Sequence, residues 1–342
     1  MNNDERFELI KRHTHEILKE DQLKTLLNEK DEPIVYLGVS ITGRPHVGYY
    51  LWVLKMSDFI KAGFKVKILL ADLHGALDNT PWDLLAKRYD YYSEIITGMF
   101  ESVNADINKI EFVKGSSFQL SEAYIMDLFK LSSIVSVHDS NKAASDVVKM
   151  GDNPKLSGLI YPLMQALDEV HLEADVQYGG KDQRKIMVLA RENLTKLGYK
   201  PRVEVMTPLI PGLTASGKMS SSDPNSKIDL LDNKKAITKK MNKAFCPEKQ
   251  VEDNGVLAFT KYVAFVNLEN KGESFVIDRP EKFGGKLEFN SYDELEEAYA
   301  KGELHPMDLK LGLVDEIDKL LDVLRNKMAD KEELIKEAYP QG

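Results

Sequence analysis

Apolar runs and periodic apolar positions divide the chain before any chemistry is considered. Ile34-Val35-Tyr36-Leu37-Gly38-Val39 is a continuous apolar run of strand length, and the segment after it, Ser40 to Pro45, is broken by Gly43 and Pro45. Val47, Tyr50, Leu51 and Leu54 then recur at i, i+3, i+4 and i+7, which predicts a helix ending near Gly63, and Lys65 to Ala71 forms a second apolar run. Strand, helix and strand in that order open a parallel doubly wound sheet, so the pattern predicts an α/β, Rossmann-like domain. Ahead of it, Phe7, Ile10, Ile17, Leu18 and Leu23 among many charges predict one or two amphipathic helices packed on a larger body. Further along, Tyr161, Gln165, Asp168 and Leu172 lie at i, i+4, i+7 and i+11, while Leu163, Met164, Leu167 and Val170 make the rest of that helix apolar. Such a polar stripe is either solvated or buried against a polar ligand, because buried polar groups need partners. Ala174 to Tyr178 reads as a strand delivering Gly179 to Lys185 at its carboxyl end, and from Pro306 onward Val314, Ile317, Leu321, Leu324 and Met328 keep helical spacing.

Composition narrows the function classes. With 342 residues, 43% hydrophobic and 30% charged, the chain can bury at least one full core and is expected to form two domains. A formal net charge of −9 argues against indiscriminate binding to polyanions, so contact with nucleic acid must use local basic patches. The sole cysteine, Cys246, excludes an internal disulfide and a cysteine zinc site, and no metal site is expected. The charged start, Met1 to Arg6, lacks the apolar stretch of a signal peptide, and no run of about 18 apolar residues follows. A cytoplasmic protein with no membrane contact is the expectation.

Candidate chemistry gathers at the predicted strand ends, where open α/β sheets bind ligands. Gly43-Arg44-Pro45-His46-Val47-Gly48 sits at a helix N-terminus, whose unpaired N–H groups suit a phosphate; Gly48 would let a nucleotide approach the backbone and His46 adds a donor. Taken alone, His46 is equally a simple helix cap. Gly179 and Gly180 leave room beside a flat group such as ribose or adenine, and Asp182 can accept from ribose hydroxyls. Pro211 to Asp223 is a small-residue loop carrying Lys218, suited to closing on a substrate where a leaving phosphate gains charge, although composition alone favours a flexible linker. Lys234, Lys235, Lys239, Lys240 and Lys243 give a predicted helix a basic face, either solvated or in contact with phosphate.

His46-Val47-Gly48-Tyr49 together with Lys218-Met219-Ser220-Ser221-Ser222 resembles the paired signatures of class I aminoacyl-tRNA synthetases, most closely tyrosyl-tRNA synthetases of the archaeal and eukaryotic cytoplasmic type. Tyr161 to Asp168 is similar to that family's amino-acid-binding helix, Gly180 to Gln183 to its ribose-binding turn, and Arg279 to Gly285 with His305 to Lys310 to its anticodon-reading region. The resemblance implies a two-step reaction: L-tyrosine and ATP, with Mg²⁺ on the ATP, give tyrosyl-adenylate and pyrophosphate, and tyrosine then passes to the terminal adenosine of tRNA(Tyr). No tightly bound cofactor is implied. It implies that Tyr36 and Asp168 bind the substrate hydroxyl, that Tyr161, Gln165 and Gln183 hold its amino group, and that His74, Phe118 and Gln119 line the pocket. Gly43, His46, Gly48, Gly180, Asp182, Lys218 and Met219 would bind ATP, with His46, Lys218 and Ser220 catalytic. Lys142 and Arg184 would meet the acceptor end of tRNA, and Phe283, His305 and Asp308 the anticodon. Implied domains are an N-terminal helical segment over 1–32, a catalytic domain over 33–213 with a homodimer-forming insertion at about 110–165, a signature loop and linker over 214–228, and a helical anticodon-binding domain over 229–342. Tryptophanyl-tRNA synthetases share fold and signatures, but Tyr36 and Asp168 suit a phenol; a catalytically silent tRNA-binding relative would not need His46, Asp182 and Lys218 intact.

Overall fold

Six strands make the central sheet, in the order β1-β6-β5-β2-β3-β4. The computed structural model describes residues 1–148, 153, 155–214 and 227–340. The strands are β1 (Glu16–Leu18), β2 (Ile34–Ser40), β3 (Lys65–Ala71), β4 (Ile110–Lys114), β5 (Val176–Gly180) and β6 (Val203–Thr207). β2 pairs in parallel with β3 from Ile34↔Lys65 to Ser40↔Ala71 and with β5 on its other side, while β4 and β6 extend the parallel sheet outward. From β2 the chain winds one way through β3 and β4, then crosses back to β5 and β6. The crevice between β2 and β5 is therefore the switch point of a doubly wound sheet, where ligands bind beyond the carboxyl ends of strands.

The helix Tyr50–Lys61, entered through a 3₁₀ turn at Val47–Tyr49, buries Tyr50, Val53, Leu54, Met56 and Phe59. It also buries Lys55 and Asp58, which pair at 3.0 Å, and Lys55 Nζ donates to Ile10 O at 3.1 Å. A buried ammonium persists only with such partners, and here they anchor the N-terminal segment. That segment contains the expected helices, Asn3–Lys11 and Glu20–Glu29, plus the unforeseen edge strand β1, antiparallel to β6.

Two further differences from the sequence reading concern boundaries. Residues 110–114, read as the start of the insertion, are β4 of the main sheet, paired with β3 from Val66↔Ile110 onward. The span read as helical beyond residue 229 also holds an antiparallel ribbon, Phe275–Ile277 with Leu287–Phe289. Its long helix, Pro306–Lys327, begins as predicted, with His305 as cap and Pro306 in the first turn. It packs closely on the helix Leu85–Ser102: a Cβ on Gly98 would lie 3.0 Å from Lys327 Cδ, and Lys327 Nζ pairs with Glu101 at 2.9 Å.

Candidate active site

A cavity of about 440 Å³ opens at the switch point. Tyr36, His46, Gly48, His74, Tyr161, Gln165, Asp168, Gly180, Asp182 and Gln183, all expected from the sequence, line it together.

The inner end is built on regular elements. Asp168, on the helix Leu156–His171, is fully buried; its Oδ1 accepts from Gln119 Nε2 at 2.7 Å and from the Tyr124 hydroxyl at 2.9 Å. Its Oδ2 has no hydrogen-bond partner, and His74 Nε2, 3.7 Å away, is also unpartnered. Burial pushes the Asp168 carboxyl up to about 7 against the opposing pull of those donors, and burial likewise holds the His74 imidazole down at about 4 and so neutral. The Tyr36 phenol, on β2, is held well above its ordinary range by burial and then by the charge of Asp168, so it stays a hydroxyl. An acceptor atom that is buried and unmatched, beside a neutral phenol, is a place for a ligand hydroxyl or N–H.

Tyr161 stands edge-on to His74 with ring centres 4.6 Å apart, and Gln165 Nε2 donates to Gln183 Oε1 at 3.0 Å. The polar stripe of this helix thus faces a cavity rather than solvent. Tyr124 was not singled out from the sequence, because its link to Asp168 spans 44 positions and leaves no periodic trace.

The outer end belongs to loops. His46 Nδ1 accepts from Gly48 N at 3.1 Å, so the cap reading is correct and the ring still lines the cavity. Since Nδ1 accepts, the proton sits on Nε2; burial first, and the charge of Lys227 next, lower the imidazole to about 4. His46 is thus a neutral donor. The expected cradle of free backbone N–H groups is corrected here: Gly48 N–H goes to His46, Val47 N donates to Ile228 O at 3.0 Å and Tyr49 N to His46 O at 2.9 Å. Tyr49 packs against His46 with ring centres 5.1 Å apart.

Residues 227–229 return from beyond the second signature directly onto the first. His46 forms a bridge with Asp229, Arg44 donates to both Asp229 carboxylate oxygens at 2.9 Å, and Lys227 Nζ donates to Arg44 O at 3.0 Å. Lys218, Met219 and Ser220 lie outside the described residues. At the end of β5, a Cβ on Gly180 would lie 2.5 Å from Asp182 Oδ1, and one on Gly179 3.1 Å from Gln183 Cγ. The glycines there leave room for the protein's own side chains, and both also line the cavity. Gly43 lies behind the cavity wall, its carbonyl accepting from Tyr92 and Tyr339.

The remaining candidates lie elsewhere. Lys142 is exposed on the helix Val137–Ala144, and Arg184 is held by Glu16 through Nε at 2.7 Å and Nη2 at 3.1 Å. Phe283 is 60% exposed in the ribbon's connection, next to Lys282. Arg279 Nη1 donates to Asp308 Oδ2 at 2.9 Å, bringing that connection to the start of the helix that His305 caps. In the lysine-rich helix Lys234–Lys243, Lys234 pairs with Asp315 and Lys240 with Asp232.

The profile of class I tRNA synthetases (W and Y) matches residues 28–322. The chain is 48% identical over 345 residues to the cytoplasmic tyrosine–tRNA ligase of Saccharomyces cerevisiae, covering 99% of this chain and 87% of that protein. It is 44% identical to the tyrosine–tRNA ligase of Haloarcula marismortui, over 100% and 99% of the two chains. Its fold superimposes on the Archaeoglobus fulgidus tyrosyl-tRNA synthetase complexed with L-tyrosine with a TM-score of 0.89, at 35% identity, over 96% of this chain and all of that one.

Proposed function

The chain belongs to the class I tRNA synthetases of the tryptophan and tyrosine kind, and from that premise we propose that it joins L-tyrosine to tRNA(Tyr) in two ATP-driven steps. The observation that carries the choice of amino acid is the buried, unpartnered Oδ2 of Asp168 beside the Tyr36 phenol. A tyrosine side chain entering the cavity supplies the missing donor, and its hydroxyl can in turn accept from Tyr36. Phenylalanine leaves both polar groups unmatched, which a site of this kind rejects by several orders of magnitude. Tyr161, Gln165 and Gln183, which line the same cavity, take the α-amino group.

The carboxylate then points toward the loops, where ATP enters with its Mg²⁺. In-line attack on the α-phosphorus expels pyrophosphate and needs no protein nucleophile, so the protein contributes positioning and charge stabilisation. His46 donates through Nε2 to a phosphate oxygen without bringing a second positive charge, Asp182 takes the ribose, and Lys218 neutralises the leaving group. Ser220, Met219, Gly48 and Gly180 shape the nucleotide end, and Gly43 acts on it from behind the cavity wall. Among the described residues no cluster of His, Cys, Asp and Glu could hold a metal ion.

For transfer, Lys142 and Arg184 receive the acceptor end of tRNA, Arg184 by exchanging Glu16 for a base or phosphate. The ribbon connection with Phe283, and His305 and Asp308 beside it, reads the anticodon from a domain beginning near residue 229; an exposed aromatic ring suits stacking on an unpaired base. The exposed Met126, Phe129, Ile134 and Val137 support a homodimer through the insertion, checked by a sedimenting mass twice that of the chain. Among the described residues no helix is long and apolar enough to cross a membrane, and the reading places the protein in the cytoplasm. ATP–pyrophosphate exchange tests the function: exchange with tyrosine but not with phenylalanine or tryptophan is expected, and a preference for tryptophan would overturn the choice of substrate.

A further inference from the structure

The loop that carries His46 is held from behind by its own carbonyl groups. Arg88 Nη1 donates to Thr42 O and, at 3.4 Å, to Ile41 O; the hydroxyls of Tyr92 and Tyr339 both donate to Gly43 O, at 2.5 and 3.0 Å; and Lys227 Nζ donates to Arg44 O at 3.0 Å. None of these donors lines the cavity. Tyr339 is itself fixed: the Arg88 guanidinium lies 4.8 Å over its ring, Arg88 Nε donates to Ala338 O at 3.2 Å, and Tyr91 meets the ring edge-on at 5.4 Å.

Between Gly43 and His46 stand only Arg44, clamped on Asp229, and Pro45, whose ring fixes its own φ. A short segment pinned in this way transmits a shift of the Gly43 peptide to His46 instead of absorbing it. His46 Nδ1 is in turn locked by Gly48 N–H, so the direction of its Nε2–H is set by the path of the loop. Catalysis by positioning is sensitive to displacements of about 1 Å, which can cost on the order of 100-fold.

We propose that Tyr339 and Tyr92 are positioning residues for amino-acid activation: by sharing the Gly43 carbonyl they aim His46 at the phosphates without touching substrate. The inference rests on the activation reaction proposed above. It makes the segment around residue 339 part of the nucleotide site, although the aromatic ring lies outside the cavity.

The test uses the full chain with Tyr92→Phe, Tyr339→Phe and the double substitution, which remove hydroxyls and keep rings. Tyrosine-dependent pyrophosphate exchange gives kcat and the KM for ATP; tyrosine affinity and Tm are measured separately. Each single variant retains one donor to Gly43 O and is expected to lose only a few-fold. The double variant is expected to lose roughly 10- to 100-fold in kcat/KM for ATP, more than the product of the single losses, with tyrosine affinity unchanged. Wild-type exchange beside a double variant within about 3-fold of it overturns this inference alone, as does a parallel loss of tyrosine affinity. A wild type that does not exchange with tyrosine overturns the proposed reaction, and the inference with it. Should the double variant not fold, Tyr339→Phe carries the test: a few-fold loss confined to ATP kinetics supports the proposal, and unchanged kinetics overturns it.

Discussion

At the inner end of the cleft, Asp168, His74 and Gln119 are each at most 2% exposed, and their polar atoms ride on or beside a helix and a sheet. At the outer end, His46, Asp182 and the residues around Asp229 ride on turns stitched together by bonds between distant segments. Burial at the inner end leaves acceptor atoms unmatched, which makes wrong occupants costly and so suits selection. At the outer end Arg44, Lys227 and Asp229 are already engaged with one another, and what matters is where His46 Nε2 points. Selection is built from desolvation, activation from aim.

Substitutions can separate these roles. The largest effect is expected at the outer end: His46→Ala should lower tyrosine-dependent pyrophosphate exchange about 10²- to 10³-fold, while calorimetry shows tyrosine binding retained; lost binding would mean that the two ends are not separable. Next, Tyr36→Phe should reduce discrimination between tyrosine and phenylalanine by roughly 10- to 100-fold, the cost of one buried unmatched polar group, read from the ratio of kcat/KM values for the two amino acids. An unchanged ratio would remove Tyr36 from selection.

The smallest expected effect is a pH dependence confined to the inner end. In the folded protein Asp168 is raised from 3.8 to about 7. Between those values the folded state holds a proton that the unfolded chain has released, so this group's contribution to stability falls as pH rises through the window. Tyrosine donates its hydroxyl to the ionised carboxylate, and its affinity should therefore climb a few-fold toward about pH 7 and level off above it. Phenylalanine has no hydroxyl to donate and should show no such rise in a binding titration. A pH-independent tyrosine affinity would place the titration elsewhere.

Much of this organisation was legible from spacing. β2, the signature helix and β3 follow one another with clear apolar signals, and the stripe Tyr161, Gln165, Asp168 does line a cavity. β6 escaped because Val203-Glu204-Val205-Met206-Thr207 carries a carboxylate that is nonetheless fully buried, where Arg191 pairs with it at 2.7 Å. β1 escaped because a strand of 3 residues has too little pattern to stand out and exists only through its pairing with β6. In the site, residue types pointed to His46 and Asp168 but not to their supports. Tyr124 and Tyr339 are ordinary tyrosines until the fold brings them to Asp168 and Gly43.

The bond from Tyr339 to Gly43 spans 296 positions, whereas the inner-end side chains all fall between Tyr36 and Gln183. Chains emerge from the ribosome N-terminus first and their parts fold as they appear. The amino-acid pocket can therefore take shape while much of the chain is still unmade, but the mooring of the His46 loop has to wait for Tyr339 to emerge. Full aim at the nucleotide is then reached only once that residue has been made, well after the place for the amino acid has formed.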